Sequence, residues 1–396
     1  MKINIERLKS SLINLGKIGY EEGKGITRSA FTPEYEEAKA FVKKLMEEAG
    51  LDVYQDPVGN LFGRLDGKDK NKSILLGSHI DSVPNGGMFD GNLGVLAGIE
   101  CIRTLKENNY APKHSIEVVA FIGEEGTEVG GTFGSRVFSG EFKAEKGDLD
   151  YLKTVGITEE DLLKAKRNPE TLKCYLELHI EQGNILNTEN FSIGVVQGIV
   201  GIAQHNAKVR GKANHAGTTP MNLRDDALVK ASKVILNINE IVNKFGSPMV
   251  GTVGYIKAYP GAVNVIPGMV EFTIELRDMD RKRVLDAMEM IMESCNNLDL
   301  EVESLGFEWE VNLDEGMQKL IEESCMDLNY SYKYMVSGAG HDANPLSKIT
   351  PSGMIFIPSK DGISHSPDEW SDWADVEKGA NVLLNTVLKV DGGFDN

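Results

Sequence analysis

The chain of 396 residues is long for one hydrophobic core and suits two domains of ordinary size. Hydrophobic residues make up 41% and charged residues 26%, a globular composition with enough apolar side chains for a large core. A formal net charge of -18 argues against nucleic acid or an anionic membrane as partner, since both reward basic patches.

Cys101, Cys174, Cys295 and Cys325 stand apart without a CxxC pair, so neither a thiolate zinc site nor a disulfide framework is suggested. A reducing cytoplasm suits them. The opening stretch MKINIERLKSSLINLGKIGY mixes charges with apolar residues at helical spacing and lacks an uninterrupted apolar core or a small-residue cleavage site. No run approaches a membrane span. The expectation is a cytoplasmic protein, neither exported nor anchored.

From residue 73 onward, apolar runs alternate with helical stretches, as in a layered α/β domain. Ser73-Ile74-Leu75-Leu76-Gly77 predicts a buried strand ending at His79. Asp90 is expected to open a helix, because Leu93, Leu96, Ala97 and Cys101 recur at spacings of three and four. Residues 116–122 predict a second strand, running into Gly123-Glu124-Glu125-Gly126, and residues 174–178 a third, running into His179-Ile180-Glu181-Gln182-Gly183. Each ionisable cluster follows the C-terminal end of an apolar strand, where open α/β sheets place their ligands.

Near residue 201 the rhythm changes. A strand over 200–210 precedes a helix over 226–244, with Leu228, Ala231, Ile235, Ile238 and Val242 in one stripe. Strands over 250–257 and 269–277, a helix over 280–296 and a strand over 299–308 complete a βαββαβ order, the ferredoxin-like plan. Such a unit within a larger domain is a candidate lid, and a helix over Met317–Cys325 marks the return to the first domain. The expected boundaries are 1–205 with 314–396 for the main domain and 206–313 for the insert.

The seven histidines are His79, His114, His179, His205, His215, His341 and His365. His79, His179 and His365 with Asp90 and Glu125 make a set of imidazole and carboxylate ligands without sulfur, which suits zinc, manganese, cobalt or nickel. Five ligands exceed the three that one catalytic zinc usually takes from protein, whereas two ions about 3.5–4 Å apart, sharing a carboxylate, use all five. Adjacent residues leaving a strand point in different directions, so Glu125 can coordinate while Glu124 faces the water whose proton it would take. His114, in a lysine-containing loop, reads as a surface residue, and Trp309, Trp370 and Trp373 read as packing. In Glu271–Asp278, Phe272, Ile274 and Leu276 take one face and Arg277 the other, so its guanidinium can reach a cleft and match a carboxylate bidentately. A surface pair with Glu275 or Asp278 is the plainer alternative.

The segments GSHIDSVPNGGMFDG, GEEG, ELHIEQG, NHAGTTPM, SGAGHDA and SHSPDE, in this order over residues 55–380, resemble the amidase, hydantoinase/carbamoylase family of dinuclear metallohydrolases. That family lies within the aminoacylase and carboxypeptidase-G-type metallopeptidase superfamily. The resemblance implies a mixed-sheet α/β catalytic domain with an inserted ferredoxin-like lid and dimerisation domain, hence a homodimer. It implies one divalent ion held by His79, Asp90 and His179 and another by Asp90, Glu125 and His365, with Asp90 bridging. Asp81 would fix the His79 tautomer through its carboxylate, and Glu124 would be the general base. His215 would stabilise the oxyanion from the neighbouring subunit, Arg277 and Asn264 would hold the substrate carboxylate, and Gln182 and Gln204 are candidates for bonds to a ureido group. His341 is either a support for a ligand or a packing residue. The expected reaction is hydrolysis of N-carbamoyl-L-amino acids to amino acid, ammonia and carbon dioxide, with allantoate hydrolysis, and beyond it aminoacylase or dipeptidase activity, as alternatives.

Overall fold

A computed structural model describes residues 1–392; residues 393–396, the end of the expected 314–396 segment, lie outside the described residues. The chain divides into two compact units, one of residues 1–197 with 312–396 and one of residues 198–311.

Among the described residues, the larger unit is built on a nine-stranded mixed sheet. Strands His114–Phe121, Asp69–His79, Leu172–Ile180 and Ser352–Ile357 are neighbours in that order and run parallel. Leu61–Leu65 and Asp52–Gln55 continue antiparallel on one side, and Ile193–Ile199 pairs antiparallel on the other. Ile74, Leu75 and Leu76 are fully buried, and every residue of His114–Phe121 is buried, the signature of strands covered on both faces. Helix Asn92–Glu107 packs against Asp69–His79, and helix Trp373–Asp391 against Ser352–Ile357. Trp370 and Trp373 join that core edge-on to each other, both packed on Phe89.

Far from the strands' C-terminal ends, Glu117 is fully buried. It takes hydrogen bonds from Arg64 Nη1 at 2.5 Å, Arg167 Nη2 at 2.8 Å and the Tyr54 hydroxyl at 2.9 Å. His114 is not a surface residue. It lies 2.9 Å from the Asp391 carboxylate, which also accepts the backbone N–H groups of Lys113 and His114 and the Tyr110 hydroxyl, so this loop pins the last helix.

In the smaller unit, Gly201–Arg210 pairs antiparallel with Met269–Asp278 on one side and Leu300–Glu308 on the other. The expected 250–257 strand is two short ones, Val250–Thr252 and Ile256–Tyr259, both paired with Met269–Asp278. Burial alternates strictly along Met269–Asp278, with Phe272, Ile274 and Leu276 inside. Helix Ala227–Phe245 buries Ala227, Ala231, Val234, Ile238, Ile241 and Val242, so its stripe is rotated from the expected one and Leu228 is left 38% exposed. Trp309 does not pack in a core: it stacks on Phe307 at 4.9 Å beneath the Arg281 guanidinium.

The segment 198–311 leaves and re-enters the large sheet at one place. Strand Val311–Asn312 pairs with Ile193–Ile199, and Leu313 donates its N–H to the Gln197 carbonyl at 2.9 Å. The four cysteines are free and buried, and among the described residues no helix is long and apolar enough to cross a membrane.

Candidate metal centre

All four parallel strands deliver polar residues at their C-terminal ends. His79 closes Asp69–His79 opposite Phe121, Glu124 and Glu125 follow His114–Phe121, His179 lies near the end of Leu172–Ile180, and His365 follows Ser352–Ile357. Asp90 arrives from the turn before helix Asn92–Glu107. That helix begins at Asn92 and not at Asp90, because the Asp90 carboxylate is drawn to imidazoles while Gly91, at φ 64°, takes the cap position without a side-chain bond. A Cβ at Gly91 would run into the His79 ring, so both its backbone conformation and its close approach require glycine.

The ligand-type atoms gather around Asp90. Its Oδ1 is 3.1 Å from His179 Nε2 and 3.7 Å from His79 Nε2, and its Oδ2 is 3.3 Å from His365 Nε2. His365 Nε2 is also 3.3 Å from Glu125 Oε2, and Glu124 Oε2 is 3.6 Å from His79 Nε2. Two groups result, His79 with Asp90 and His179, and Asp90 with Glu125 and His365. Glu177, His179 and His341 form a third cluster beside the first. There Glu177 is occupied by Ser78, Tyr175 and the Ala343 N–H, and His341 packs edge-on to His179 at 4.5 Å with Nε2 bonded to Ser337.

Backbone carbonyls set the two buried imidazoles. His79 Nδ1 lies 3.1 Å from the Asp81 carbonyl and His179 Nδ1 2.8 Å from that of Ile180, so each Nδ1 carries the proton and each Nε2 lone pair faces the carboxylates. The Asp81 carbonyl takes the His79 bond, whereas its carboxylate, the group expected to fix the tautomer, has Oδ1 3.8 Å from the same nitrogen. The carboxylate instead accepts the N–H groups of Gly123 at 3.1 Å, Glu124 at 3.3 Å and Glu125 at 3.0 Å, and so shapes the loop that presents both glutamates. Gln182, in a left-handed conformation, donates its amide to Asp90 Oδ2 at 2.9 Å and lies 3.4 Å from His365 Nε2, which places it beside the ligand groups.

The donor chemistry fits divalent cations. His179 Nε2 and Glu125 Oε1 are buried without a hydrogen-bond partner among the described residues. Burial, joined by the Asp90 charge, pushes the Glu125 carboxyl up to about 10, and burial with the Glu125 charge pushes Glu124 well above the usual range. Burial would raise Asp90 as well, but the His179 and His365 imidazoles outweigh it and hold that carboxyl well below its ordinary value. Burial lowers the His179 imidazole, yet Asp90 carries it up to about 9. Crowded carboxylates against imidazole lone pairs call for positive charge between them, from protons or from a metal.

Two neighbours escaped the sequence reading. Glu369 is 4% exposed and accepts the Phe89 and Asp90 N–H groups and the Ser364 hydroxyl. Arg28 is fully buried and donates to the Leu15, Ile18 and Ile80 carbonyls and to Asn92 Oδ1, holding the turns on either side of His79 and Asp90. A carboxylate four residues from a candidate ligand in the tight SHSPDE stretch was the available signal for Glu369; nothing local marks Arg28.

The remaining expected residues belong to the smaller unit. Gln204, Glu275 and Arg277 share the polar face of its sheet, where Glu275 accepts the Gln204 amide at 2.7 Å and Arg277 Nε at 2.8 Å. The ion pair with Glu275 is thus formed. His215 is exposed and pairs with Val265, next to Asn264. Its Nδ1 accepts the Gly217 and Thr218 N–H groups at 3.0 and 3.2 Å, so Nε2 carries the proton and can donate. His205 is buried on the opposite, core-facing side of its strand against Phe307, where burial lowers its pKa.

Residues 75–389 match the family described as Peptidase family M20/M25/M40. The chain belongs to this family. Over 98% of its length it is 42% identical to an N-carbamoyl-L-amino acid amidohydrolase of Geobacillus stearothermophilus, of which it covers 99%. It is 36% identical to the allantoate amidohydrolase of Escherichia coli, over 96% of each chain. Among solved structures it resembles an amidase of the hydantoinase/carbamoylase family from Burkholderia multivorans, with a TM-score of 0.90 and 33% identity over 98% of both chains. Membership in the M20 family and likeness to hydantoinase/carbamoylase amidases therefore extend across the mixed-sheet unit and all the groups around Asp90.

Proposed function

We propose that this amidohydrolase cleaves N-carbamoyl-L-amino acids to the amino acid, ammonia and carbon dioxide. The observation that carries the reading is the convergence of His79, His179, His365 and Glu125 on the Asp90 carboxylate, with Glu124 3.6 Å from His79. The 42% likeness to the Geobacillus enzyme supports the substrate class. His79, Asp90 and His179 would hold one divalent ion, and Asp90, Glu125 and His365 a second, with zinc, manganese, cobalt and nickel all suited to these donors. When bound, such ions acidify water and polarise a carbonyl.

Glu124, almost buried beside Glu125, Asp342 and Asp81, has its carboxyl pushed up when no cation is present; the positive charge of the cations that this cluster calls for would keep it ionised as a base. It takes the proton of the attacking water and delivers it to the leaving nitrogen. Asp81 keeps the Glu124–Glu125 loop in shape through three backbone bonds. The 198–311 segment is read as a ferredoxin-like lid and dimerisation domain, supported by its strand order and two helices. In it, Arg277 and Asn264 bind the substrate carboxylate, Gln204 its ureido end together with Gln182, and His215 donates from Nε2 to the oxyanion in a homodimer. The free buried cysteines suit the cytoplasm.

Allantoate hydrolysis is the second reading, favoured by the Escherichia coli relative. An ammonia-release panel decides between them, using N-carbamoyl-L- and D-amino acids, N-carbamoyl-β-alanine, allantoate and acetyl amino acids on protein reloaded with each metal in turn. Turnover of N-carbamoyl-L-amino acids is expected, and turnover of allantoate alone would sink the first reading.

A further inference from the structure

The two halves of the centre are held in different ways. His79 and His179 close core strands, are 1% exposed, and have Nδ1 locked by backbone carbonyls. His365 instead sits on a loop at φ 53°, its side chain 51% exposed. Something other than the sheet must bring it to Asp90.

Glu369 spans the gap. Its Oε1 accepts the N–H of Phe89 at 2.9 Å and of Asp90 at 3.1 Å, contacts across 280 and 279 residues of sequence. Its Oε2 accepts the Ser364 hydroxyl at 2.9 Å, and that hydroxyl also lies 3.3 Å from Asp90 Oδ2. Gly87 leaves room for it, since a Cβ there would collide with the Glu369 carboxylate. One buried side chain therefore joins the 87–90 turn to the 364–369 loop, with Ser364 adjoining His365 as the link between them.

We propose that Glu369 is a positioning residue that sets the metal affinity of the Asp90–Glu125–His365 position more strongly than that of the His79–Asp90–His179 position, because it holds Asp90, common to both, and through Ser364 also the loop that carries His365. The inference rests on the two-ion reading above. Its physical basis is that a ligand on a loop must be held in place before it binds, whereas ligands on core strands already are.

Equilibrium dialysis against zinc, and separately manganese, with elemental analysis of ions per chain, tests it on the wild type, E369A, E369Q and S364A, alongside thermal unfolding. The wild type is expected to take up two ions. E369A should bind the Asp90–Glu125–His365 ion about 10–100-fold more weakly and the other ion with a smaller loss. E369Q should lose less, because its amide oxygen still accepts the two N–H groups. In an H365A background, E369A should weaken the remaining ion by no more than the smaller loss seen in E369A alone, the mark of two changes acting mainly on one site.

Wild-type affinity for both ions in E369A overturns the inference, and so does equal weakening of both. If E369A does not fold, S364A decides: a weaker second ion supports the linkage and two unchanged affinities overturn it. A wild type that binds fewer than two ions overturns the two-ion reading and this inference with it, an outcome told apart by appearing before any substitution.

Discussion

Glu117 and Glu124 lie on one run of chain, the first in the N-terminal half of strand His114–Phe121 and the second beyond its C-terminal end, and both carboxylates are withdrawn from water. Burial would raise Glu117, but the Arg167 guanidinium outweighs it and keeps the carboxyl below its usual value, with Ser73 and Tyr54 adding hydrogen bonds. Burial raises Glu124 too, and there the neighbours are Glu125, Asp342 and Asp81, which raise it further. The fold completes one charge cluster from its own arginines and leaves the other short of positive charge. A cluster satisfied from within is architecture, and one that needs an outside cation or protons is where chemistry is placed.

Substitutions at the two ends should therefore separate activity from stability. Glu124→Gln should lower the rate of ammonia release by about 10²–10⁴-fold while elemental analysis finds its metal content unchanged. A wild-type rate would remove Glu124 from proton transfer. Glu117→Gln should leave turnover per folded molecule intact and reduce the unfolding free energy in urea at pH 7 by about 3 kcal/mol, because two guanidinium groups lose their buried partner. The pH dependence has a fixed sign: a carboxyl depressed in the folded state stabilises above its unfolded value of 4.5 and loses that contribution as pH falls below it. The gap between wild type and Glu117→Gln should accordingly shrink below pH 4.5, and a constant gap across that range would contradict the pairing.

Removing metal gives the third and smallest contrast. Chelation should lower the melting temperature, by the equivalent of about 2.7 kcal/mol for a site held at 100 times its dissociation constant, and added zinc or manganese should restore it. Glu117→Gln should shift with metal by the same amount as wild type. If the shift vanishes in that variant, the two clusters are coupled and the division drawn above fails.

His79, His179 and Glu125 were legible because apolar runs ended in ionisable residues, and sheet order then brought them together. Asp90 was legible as a carboxylate of the cluster but not as a residue outside the helix, since its pull toward the imidazoles depends on partners distant in sequence. Asp81 was legible as a neighbour of the His79 ring, but not which of its oxygens makes the bond. The chain turns after His79, so the carbonyl of Asp81 meets the ring while its carboxylate gathers the 123–125 backbone. Glu369 was hidden because two of its partners are backbone N–H groups some 280 residues away, which leave no trace in residue type. In helix Ala227–Phe245 two overlapping apolar stripes fit the sequence, and only the sheet beneath chose between them.

The bond between Gln197 and Leu313 has a consequence for how such a chain can diversify. It makes the junction a graft point: everything between those residues is, for the large sheet, a single loop whose ends already touch. Closing a loop costs entropy that grows only with the logarithm of its length, so the sheet is almost indifferent to whether a short turn or a folded unit fills the space. The segment that fills this space can be exchanged for another without threading a strand through the large sheet.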